Sequence, residues 1–292
     1  MRAGFWTRAF PYLLLLPAMA ILIAMVIYPL IYSLQQSFTD FNLIMLNGVW
    51  VGLKNYATAL TDADFRDSAL FTLIFAFTST GIQLVLGFFT ALCLSRVVWG
   101  RGVLSLILMF PMMVTPVVVG ILWLLMFQPD FSVINGLLAK LGIQGPIWLQ
   151  HPLTARIAVI VADIWQWTPF FTIILLAGIL NLPREVIEAG EIDGATPWQA
   201  LVKLTVPMMM PLILITTLIR LIDSFKTFDS IFVMTNGGPG ASTEVVSLYI
   251  YRKGLPYMEM GYASALSYLF VIVLTIIAAL LIRQLSRTEA AR

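Results

Sequence analysis

Residues 181–207, NLPREVIEAGEIDGATPWQALVKLTVP, form the polar interruption on which the reading of this chain turns. They separate two apolar stretches, Leu153–Leu180 and Pro207–Phe225, each long enough to cross a ~30 Å hydrocarbon core as a helix. Within the interruption the pattern is that of two short helices around a tight turn. Pro183 suits the first turn of a helix, where its missing N–H costs nothing, and Glu185 lies near the positive end of the helix dipole. Asp193-Gly194 is a turn signal. Thr196-Pro197-Trp198-Gln199 reads as a capping box with proline at the first helical position, so a second helix starts there and runs toward Pro207. Small residues at the bend (Ala189, Gly190, Gly194 and Ala195) would let another protein's backbone approach closely. A plain amphipathic connector at the membrane face fits the same residues equally well on residue chemistry alone.

Outward from this segment the chain is apolar. Of 292 residues, 60% are hydrophobic and only 11% charged, with a mean hydropathy of +0.94. Soluble domains carry about a quarter charged residues, and a globule of this length has too much surface to hide so much apolar area. The bilayer must therefore be the solvent. Four further stretches are long enough to span: Pro11–Leu34, Ala69–Leu94, Val103–Phe127 and Tyr262–Ile282. Lipid offers backbone groups no partners and the runs lack barrel-like alternation, so the spans are helices. The expected fold class is an all-α polytopic membrane protein, a single transmembrane domain over residues 1–292 with about six helices and a loop at 181–206. Ala18-Met19-Ala20 looks like a signal-cleavage site, but the apolar run before it is short and continues to Ile31, so an uncleaved first span is expected.

Six spans put both termini on one side, together with Arg2, Arg8, Arg96, Arg101, Arg283, Arg287 and Arg292; the positive-inside rule makes that side cytoplasmic. Segment Gln35–Ser68 then faces outward with Asp40, Asp62, Asp64 and Asp67 against Lys54 and Arg66, while Arg252-Lys253 runs against the bias. Enzyme classes find little support. A single histidine, His151, rules out a histidine-cluster metal site, so no metal residues are expected, and neither H-E-x-x-H nor G-x-S-x-G occurs. Without G-x-x-x-x-G-K-[ST] the chain cannot cradle a nucleotide by itself. Basic clusters that would suggest nucleic acid are missing as well. Cys93, alone of its kind, cannot form an internal disulfide and is expected to be a small buried hydrophobe.

Charges within spans are functional candidates by default. Asp163, Gln166, Trp167 and Phe170 follow i, i+3, i+4, i+7 spacing and share one helix face. Arg220 and Asp223 share another, with Lys226 and Thr227 one turn on. At ~1.5 Å per residue, Asp163 and Arg220 fall at similar levels in the outer half of the bilayer. Two readings stay open. Arg220 pairs with Asp163 or Asp223 as a structural ion pair, or the set lines a polar solute cavity with Trp165 and, from the last span, Ser264, Ser267 and Tyr268. Aromatic faces and hydroxyl-binding groups of this kind suit sugar rings, and Arg220 would be the natural partner of an anionic solute. On the cavity reading, Arg220→Ala alters transport more than assembly. Pro111 and Pro116 interrupt backbone bonding in the third span and permit a kink.

Glu188-Ala189-Gly190, three residues, Gly194, nine residues, then Leu204-Thr205-Val206-Pro207 resembles the EAA motif of binding-protein-dependent ABC importer permeases, Glu-Ala-Ala with a fixed glycine and a final Ile-x-Leu-Pro. Ile192-Asp193-Gly194-Ala195 matches its extended core. The sequence departs from the motif at Gly190, Leu204 and Val206, all small or apolar exchanges. Phe228-Asp229-Ser230-Ile231 with Thr235-Asn236-Gly237-Gly238-Pro239 resembles the outer loop after the fifth span in carbohydrate permeases. Gly261-Tyr262-Ala263-Ser264-Ala265 is similar to the entry to their last span, and Pro111, Pro116 and Trp123 to their third. The whole resembles the maltose- and glycerol-phosphate-type family, on the first-permease side of the usual pair.

That resemblance implies a type I ABC importer permease fold in a bacterial inner membrane. It implies a transport subunit, not an enzyme, that forms half of a pathway for a sugar, polyol or related glycoside. Its partners would be a second homologous permease, an ATPase dimer that carries the ATP and Mg, and an extracytoplasmic binding protein; the chain itself would bind no cofactor. Residues Glu188 to Ala195, with Pro207, would form the coupling elbow, Asp193 bracing the turn and Glu188 offering a carboxylate to the ATPase. Asp229 and Asn236, Gly237, Gly238 and Pro239 would meet the binding protein, although a plain turn accounts for them as well on chemistry alone. The alternatives are a permease for amino-acid, peptide or ion cargo and, after it, a secondary transporter, which the lack of an internal repeat disfavours.

Overall fold

A computed structural model describes residues 3–129 and 132–290; Arg2 and Arg292, invoked above for orientation, lie outside the described residues. Among the described residues there is no strand, only isolated bridges pairing Thr39 with Trp50 and Asn42 with Asn47. The chain divides into two compact units, residues 1–63 with 250–272 and residues 64–249 with 273–292.

The first unit begins with α1 (Ala3–Leu22), which passes through a π-helical turn, Ile23–Ile27, into α2 (Tyr28–Ser37). The wider turn lies just before Pro29, whose ring clashes with the carbonyl four residues back in a regular helix. A short α3 (Lys54–Thr61) follows. Asn55 ties it to the end of α2, its Nδ2 donating to the carbonyls of Ser37 at 2.9 Å and Thr39 at 2.8 Å. The first half of the last helix, counted below as α14 (Met260–Ala290), packs on this strap through Gly261. A Cβ there would stand 2.1 Å from the Thr39 carbonyl oxygen, so only glycine fits, and its N–H donates to Phe41 O at 3.0 Å. Tyr262 donates its hydroxyl to Asp62 Oδ2 at 2.7 Å.

The second unit holds most of the bundle: α4 (Ala63–Ser95), α5 (Arg101–Met113), α6 (Pro116–Phe127), α7 (Val133–Lys140), α8 (Pro152–Leu180), α9 (Arg184–Ile192), α10 (Pro197–Ala200), a π turn at Leu201–Thr205, α11 (Val206–Phe225) and α12 (Asp229–Thr235); α13 (Val246–Gly254) and α14 run on from it. Among the described residues, five helical stretches are long and apolar enough to cross a membrane: Leu14–Ser37, Ala63–Ser95, Pro152–Leu180, Pro197–Phe225 and Met260–Arg283. A sixth is counted if α5 and α6, bent by 90° at their break, form one span. The stretch Val103–Phe127 is thus no continuous helix. Pro116 forces Thr115 out of the helical region, and both Val114 and Thr115 are extended, with ψ of 136° and 145°.

Packing follows membrane rules, in which small and polar residues face protein and large apolar ones face lipid. Ser68, Thr72, Ser79, Gln83, Gly87 and Ala91 form the buried stripe of α4, whereas Leu70, Phe77, Val85 and Phe89 are exposed. Cys93 belongs to the exposed side, contrary to the burial expected from its apolar neighbours. In a bilayer, apolar surroundings in sequence carry no information about burial. Gly87 sets the closest approach: a Cβ there would meet Phe171 Cβ at 2.4 Å and Thr172 N at 3.0 Å. Neither atom is the free end of a flexible side chain, so Gly87→Ala is expected to destabilise the protein by about 1–3 kcal/mol through overpacking. A lowered thermal midpoint of the detergent-purified chain checks this.

Two apolar clusters flank a polar layer. One contains Phe71, Phe75, Ala158, Val159 and Ala162, the other Ala91, Phe171, Leu175 and Met209. On both α4 and α8 the residues between them are polar: Gln83, then Asp163 and Gln166.

Candidate functional site

The polar layer centres on Arg220 of α11, 1% exposed. Its Nη2 lies 2.7 Å from both Asp163 oxygens, its Nε donates to Gln83 Oε1 at 3.0 Å, and its Nη1 reaches Asp223 Oδ2 at 3.4 Å. Gln83 closes the ring by donating Nε2 to Asp163 Oδ2 at 2.8 Å and to the Asp163 carbonyl at 3.0 Å. Trp167 lies against the guanidinium, 4.8 Å from its ring centroid, a cation–π contact that adds to the enclosure. Burying two charges is costly unless they are paired and hydrogen-bonded, and here both conditions are met. The structural ion pair, one of the two readings open from sequence, is therefore present, and with both of its suggested partners.

Beside it lies a recess of about 130 Å³ lined by Asp163, Gln166, Trp167, Asp223, Lys226 and Asp229, among others. Gln166 is oriented by a bond from its Nε2 to the Val114 carbonyl at 3.1 Å, a group left without a helical partner by the α5–α6 break. Four of the sequence-derived pathway candidates thus converge, joined by Asp229, which had been assigned to docking. Others do not. Trp165 packs edge-on against Trp123 at 6.0 Å and lines a separate apolar recess with Pro111 and Pro169. Ser267 bonds the Ala263 carbonyl, and Tyr268 bonds the Leu30 carbonyl and Ser33, all within the first unit; Ser264 is buried there. Gln83 escaped the sequence reading. Its place in the Ser68, Thr72, Ser79, Gln83, Gly87 stripe, spaced at four or seven residues, was the available signal.

The elbow between α8 and α11 is equally determined. Pro183 stands just before α9, and the helix ends at Asp193. Gly194 N donates to Glu191 O at 3.0 Å and Ala195 N to Gly190 O at 2.9 Å, the paired reverse bonds of a Schellman motif. Gly194 holds φ at +79° with open space around its missing Cβ, so conformation and not crowding demands glycine. Thr196 and Gln199 then form the capping box, Thr196 N donating to Gln199 Oε1 at 2.9 Å and Gln199 N to Thr196 Oγ1 at 3.3 Å. Asp193 makes only the ordinary helical bond from its N–H to Ala189 O; its carboxylate and that of Glu188 are exposed and take no hydrogen bond among the described residues. The elbow also presents bare apolar groups, Ile192 at 87% and Trp198 at 71% exposure.

Gly190 and Leu204 touch across the elbow. A Cβ on Gly190 would lie 2.7 Å from Leu204 Cδ1, the mobile end of a leucine. Gly190→Ala is therefore expected to be accommodated, with solute uptake within about twofold of the parent, since volume shifts absorbed by one rotamer cost little; uptake in cells carrying the variant measures it.

In the segment after α11, Asp229 and Asn236 are exposed, Gly237 is buried and Gly238 and Pro239 are half-buried. Asn236, at φ +45°, caps α12. Thr243 fixes the turn by donating Oγ1 to the Gly238 carbonyl at 2.8 Å. Among the described residues no group of three or more His, Cys, Asp or Glu side chains is placed to hold a metal ion.

Comparison with known proteins agrees with this architecture. The sequence model of the family described as binding-protein-dependent transport system inner membrane component matches residues 83–288. A probable ABC transporter permease protein from Sinorhizobium fredii is 38% identical, covering 93% of this chain and 88% of its own length. A trehalose/maltose transport system permease protein from Thermococcus litoralis is 34% identical, with 90% of each chain covered. Among solved structures, a chain of a bacterial ABC transporter that imports the acidic polysaccharide alginate superposes with a TM-score of 0.85 at 24% identity, over 97% of this chain and 98% of that one.

Proposed function

As the chain belongs to the family of binding-protein-dependent transport system inner membrane components, we propose that it forms half of the translocation pathway of an ATP-driven importer for a sugar, polyol or related glycoside. It is an inner-membrane permease subunit. The carbohydrate reading rests on the trehalose/maltose relative, 34% identical over nearly the full length of both chains, and on the aromatic and carboxylate groups at the recess. A second homologous permease supplies the other half, an ATPase dimer the energy, and an extracytoplasmic binding protein the solute.

The observation that carries the proposal is the elbow. A lever must be stiff, exposed to its driver and fixed to what it moves. Reverse bonds at Gly194 and Ala195 stiffen the bend, the capping box at Thr196 restarts the chain in a set direction, and α8 and α11 are its covalent continuations. Ile192 and Trp198 offer apolar contacts and Glu188 a carboxylate to the ATPase. ATP-driven closure of the two ATPase subunits then swings the elbow and rocks α8 against α11, the helices that bear the polar layer. On this reading the elbow faces the cytoplasm and the segment Asp229–Pro239 faces the binding protein. Asp163, Gln166, Trp167 and Asp223 are the groups we assign to the solute path; Arg220 holds two of them in place.

The test is a cross-link. With Cys93→Ser and Ile192→Cys, a short bifunctional reagent is expected to join this chain to the ATPase subunit in membranes of cells expressing all components. Uptake of radiolabelled maltose or trehalose by the parent is expected to survive an ion uncoupler while ATP lasts. A cross-link to the binding protein instead, or uptake that collapses with the ion gradient, overturns the reading.

A further inference from the structure

From the charges around the recess beside Arg220 we infer that the solute path accepts uncharged polyhydroxylated solutes and turns anionic saccharides away. The inference rests on the carbohydrate-import reading and narrows it. Arg220 is the cation that sequence alone would offer to a phosphate, sulfonate or uronate, yet its guanidinium is spent. Asp163 takes Nη2 at 2.7 Å through both oxygens, Gln83 takes Nε at 3.0 Å, Asp223 lies 3.4 Å from Nη1, and Trp167 covers a face at 4.8 Å. An anion could claim Arg220 only by expelling Asp163, whose side chain is 3% exposed and would be left as an unpaired buried carboxylate. That exchange loses a buried pair to gain one.

What remains at the recess is negative. With Arg220 counted against the Asp163 it binds, the charges around the recess are Asp163, Asp223 and Asp229 against Arg220 and Lys226, and Lys226, 59% exposed, already stands 3.9 Å from Asp223. Low-dielectric walls strengthen the field of such a set well beyond its strength in water. For a neutral sugar or polyol the same carboxylates are assets. A carboxylate is acceptor only, and hydroxyl donors meeting it form charge-assisted hydrogen bonds, while the side of Trp167 offers an apolar surface for ring C–H groups. Asp229, exposed at the start of α12, is open to a solute, and Asp223, with 46% side-chain exposure, keeps an accessible edge beside its contacts with Arg220 and Lys226.

Two measurements test the charge preference. First, ATP-dependent uptake is compared in cells expressing the whole transporter with its binding protein, using radiolabelled trehalose, maltose and sorbitol against glycerol 3-phosphate and glucuronate-containing disaccharide. Uptake of at least one neutral solute, with each anion at least about tenfold slower, is expected. Uptake of an anion in preference to all neutral solutes overturns the inference and leaves carbohydrate import standing, whereas ATP-dependent uptake of an amino acid or peptide and of no saccharide overturns both. Second, the permease–ATPase complex in nanodiscs, without binding protein, is studied by saturation-transfer NMR, which removes the selectivity of the binding protein. Trehalose or maltose is expected to show transfer that Trp167→Ala reduces, and glycerol 3-phosphate to show none until Asp223→Asn and Asp229→Asn are combined. Equal transfer to glycerol 3-phosphate in the parent complex sinks the inference.

Discussion

Gly194→Val is expected to reduce solute uptake by about 100-fold or more while the chain still inserts in the membrane and accumulates. The left-handed conformation costs an ordinary L residue about 1–2 kcal/mol, and for a β-branched residue it is a genuine outlier. Gly194 sits at φ +79°, and no atom lies within 4 Å of where its Cβ would be, so a clash is not the problem. The chain can relieve the strain only by returning residue 194 to negative φ. That breaks the bonds from Gly194 N to Glu191 O and from Ala195 N to Gly190 O, each worth about 0.5–1.5 kcal/mol, and it redirects the chain before the cap at Thr196. An elbow with several directions of similar energy delivers no fixed displacement to α8 and α11. Keeping the strain and losing the two bonds are alternatives, the second costing about 1–3 kcal/mol, whose upper end reaches the about 2.7 kcal/mol of a factor of 100. Gly194→Asn is the control. Asparagine enters the left-handed region readily, so most uptake should persist. Valine-level uptake in the asparagine variant would move the cause from backbone conformation to close approach of the ATPase, and full uptake with valine would remove the elbow from the mechanism. ATP hydrolysis by the purified complex, measured beside uptake, separates uncoupling from loss of assembly.

Much of this was legible because its signals are local. The Asp193-Gly194 turn, the Thr196–Gln199 cap and the spacing of Glu188, Gly194 and Pro207 are set by neighbours within a few residues, and backbone chemistry fixes them wherever the chain is placed. Depth was legible too: counting rise per residue put Asp163 and Arg220 at one level, and they meet at 2.7 Å. Sidedness about the helix axis was not. In water a buried face announces itself as apolar; in lipid both faces are apolar, and the buried one is betrayed only by small and polar residues. For that reason Cys93 was misplaced, Gln83 was missed, and Trp165 was put in the polar recess when it turns toward Trp123. The third span shows the same limit in the backbone. Two prolines forecast a kink, but the 90° turn between α5 and α6 arises because Thr115 and Val114 leave the helix together and Gln166 takes up the freed Val114 carbonyl, a partner far away in sequence.

Geometry also reverses one expectation about Arg220. The cavity reading had Arg220→Ala alter transport more than assembly. With Arg220 at 1% exposure and locked to Asp163, either single alanine substitution is now expected to destabilise the complex by about 3–5 kcal/mol, because each strands an opposite charge in the bilayer. Arg220→Met combined with Asp163→Leu removes both charges, and apolar replacement of a buried pair is often neutral or stabilising. Here Gln83 moderates that gain. Its Oε1 loses Arg220 Nε and its Nε2 loses Asp163 Oδ2 but keeps the Asp163 backbone carbonyl in the double variant, and one stranded polar group costs about 1–3 kcal/mol. The double variant is therefore expected to be about as stable as either single one or better, far from the sum of the two losses, with a coupling energy above about 2 kcal/mol. Thermal midpoints of the detergent-purified complex carrying Arg220→Met, Asp163→Leu and the two together give the cycle, and uptake assays give its functional counterpart. Uptake should follow stability in the single variants, and stay low in the double variant, where Asp163 no longer lines the recess. Should Arg220→Ala keep its thermal midpoint yet lose uptake, the guanidinium contacts solute directly, the ion pair is a resting arrangement that transport opens, and the charge preference drawn from its saturation falls with it.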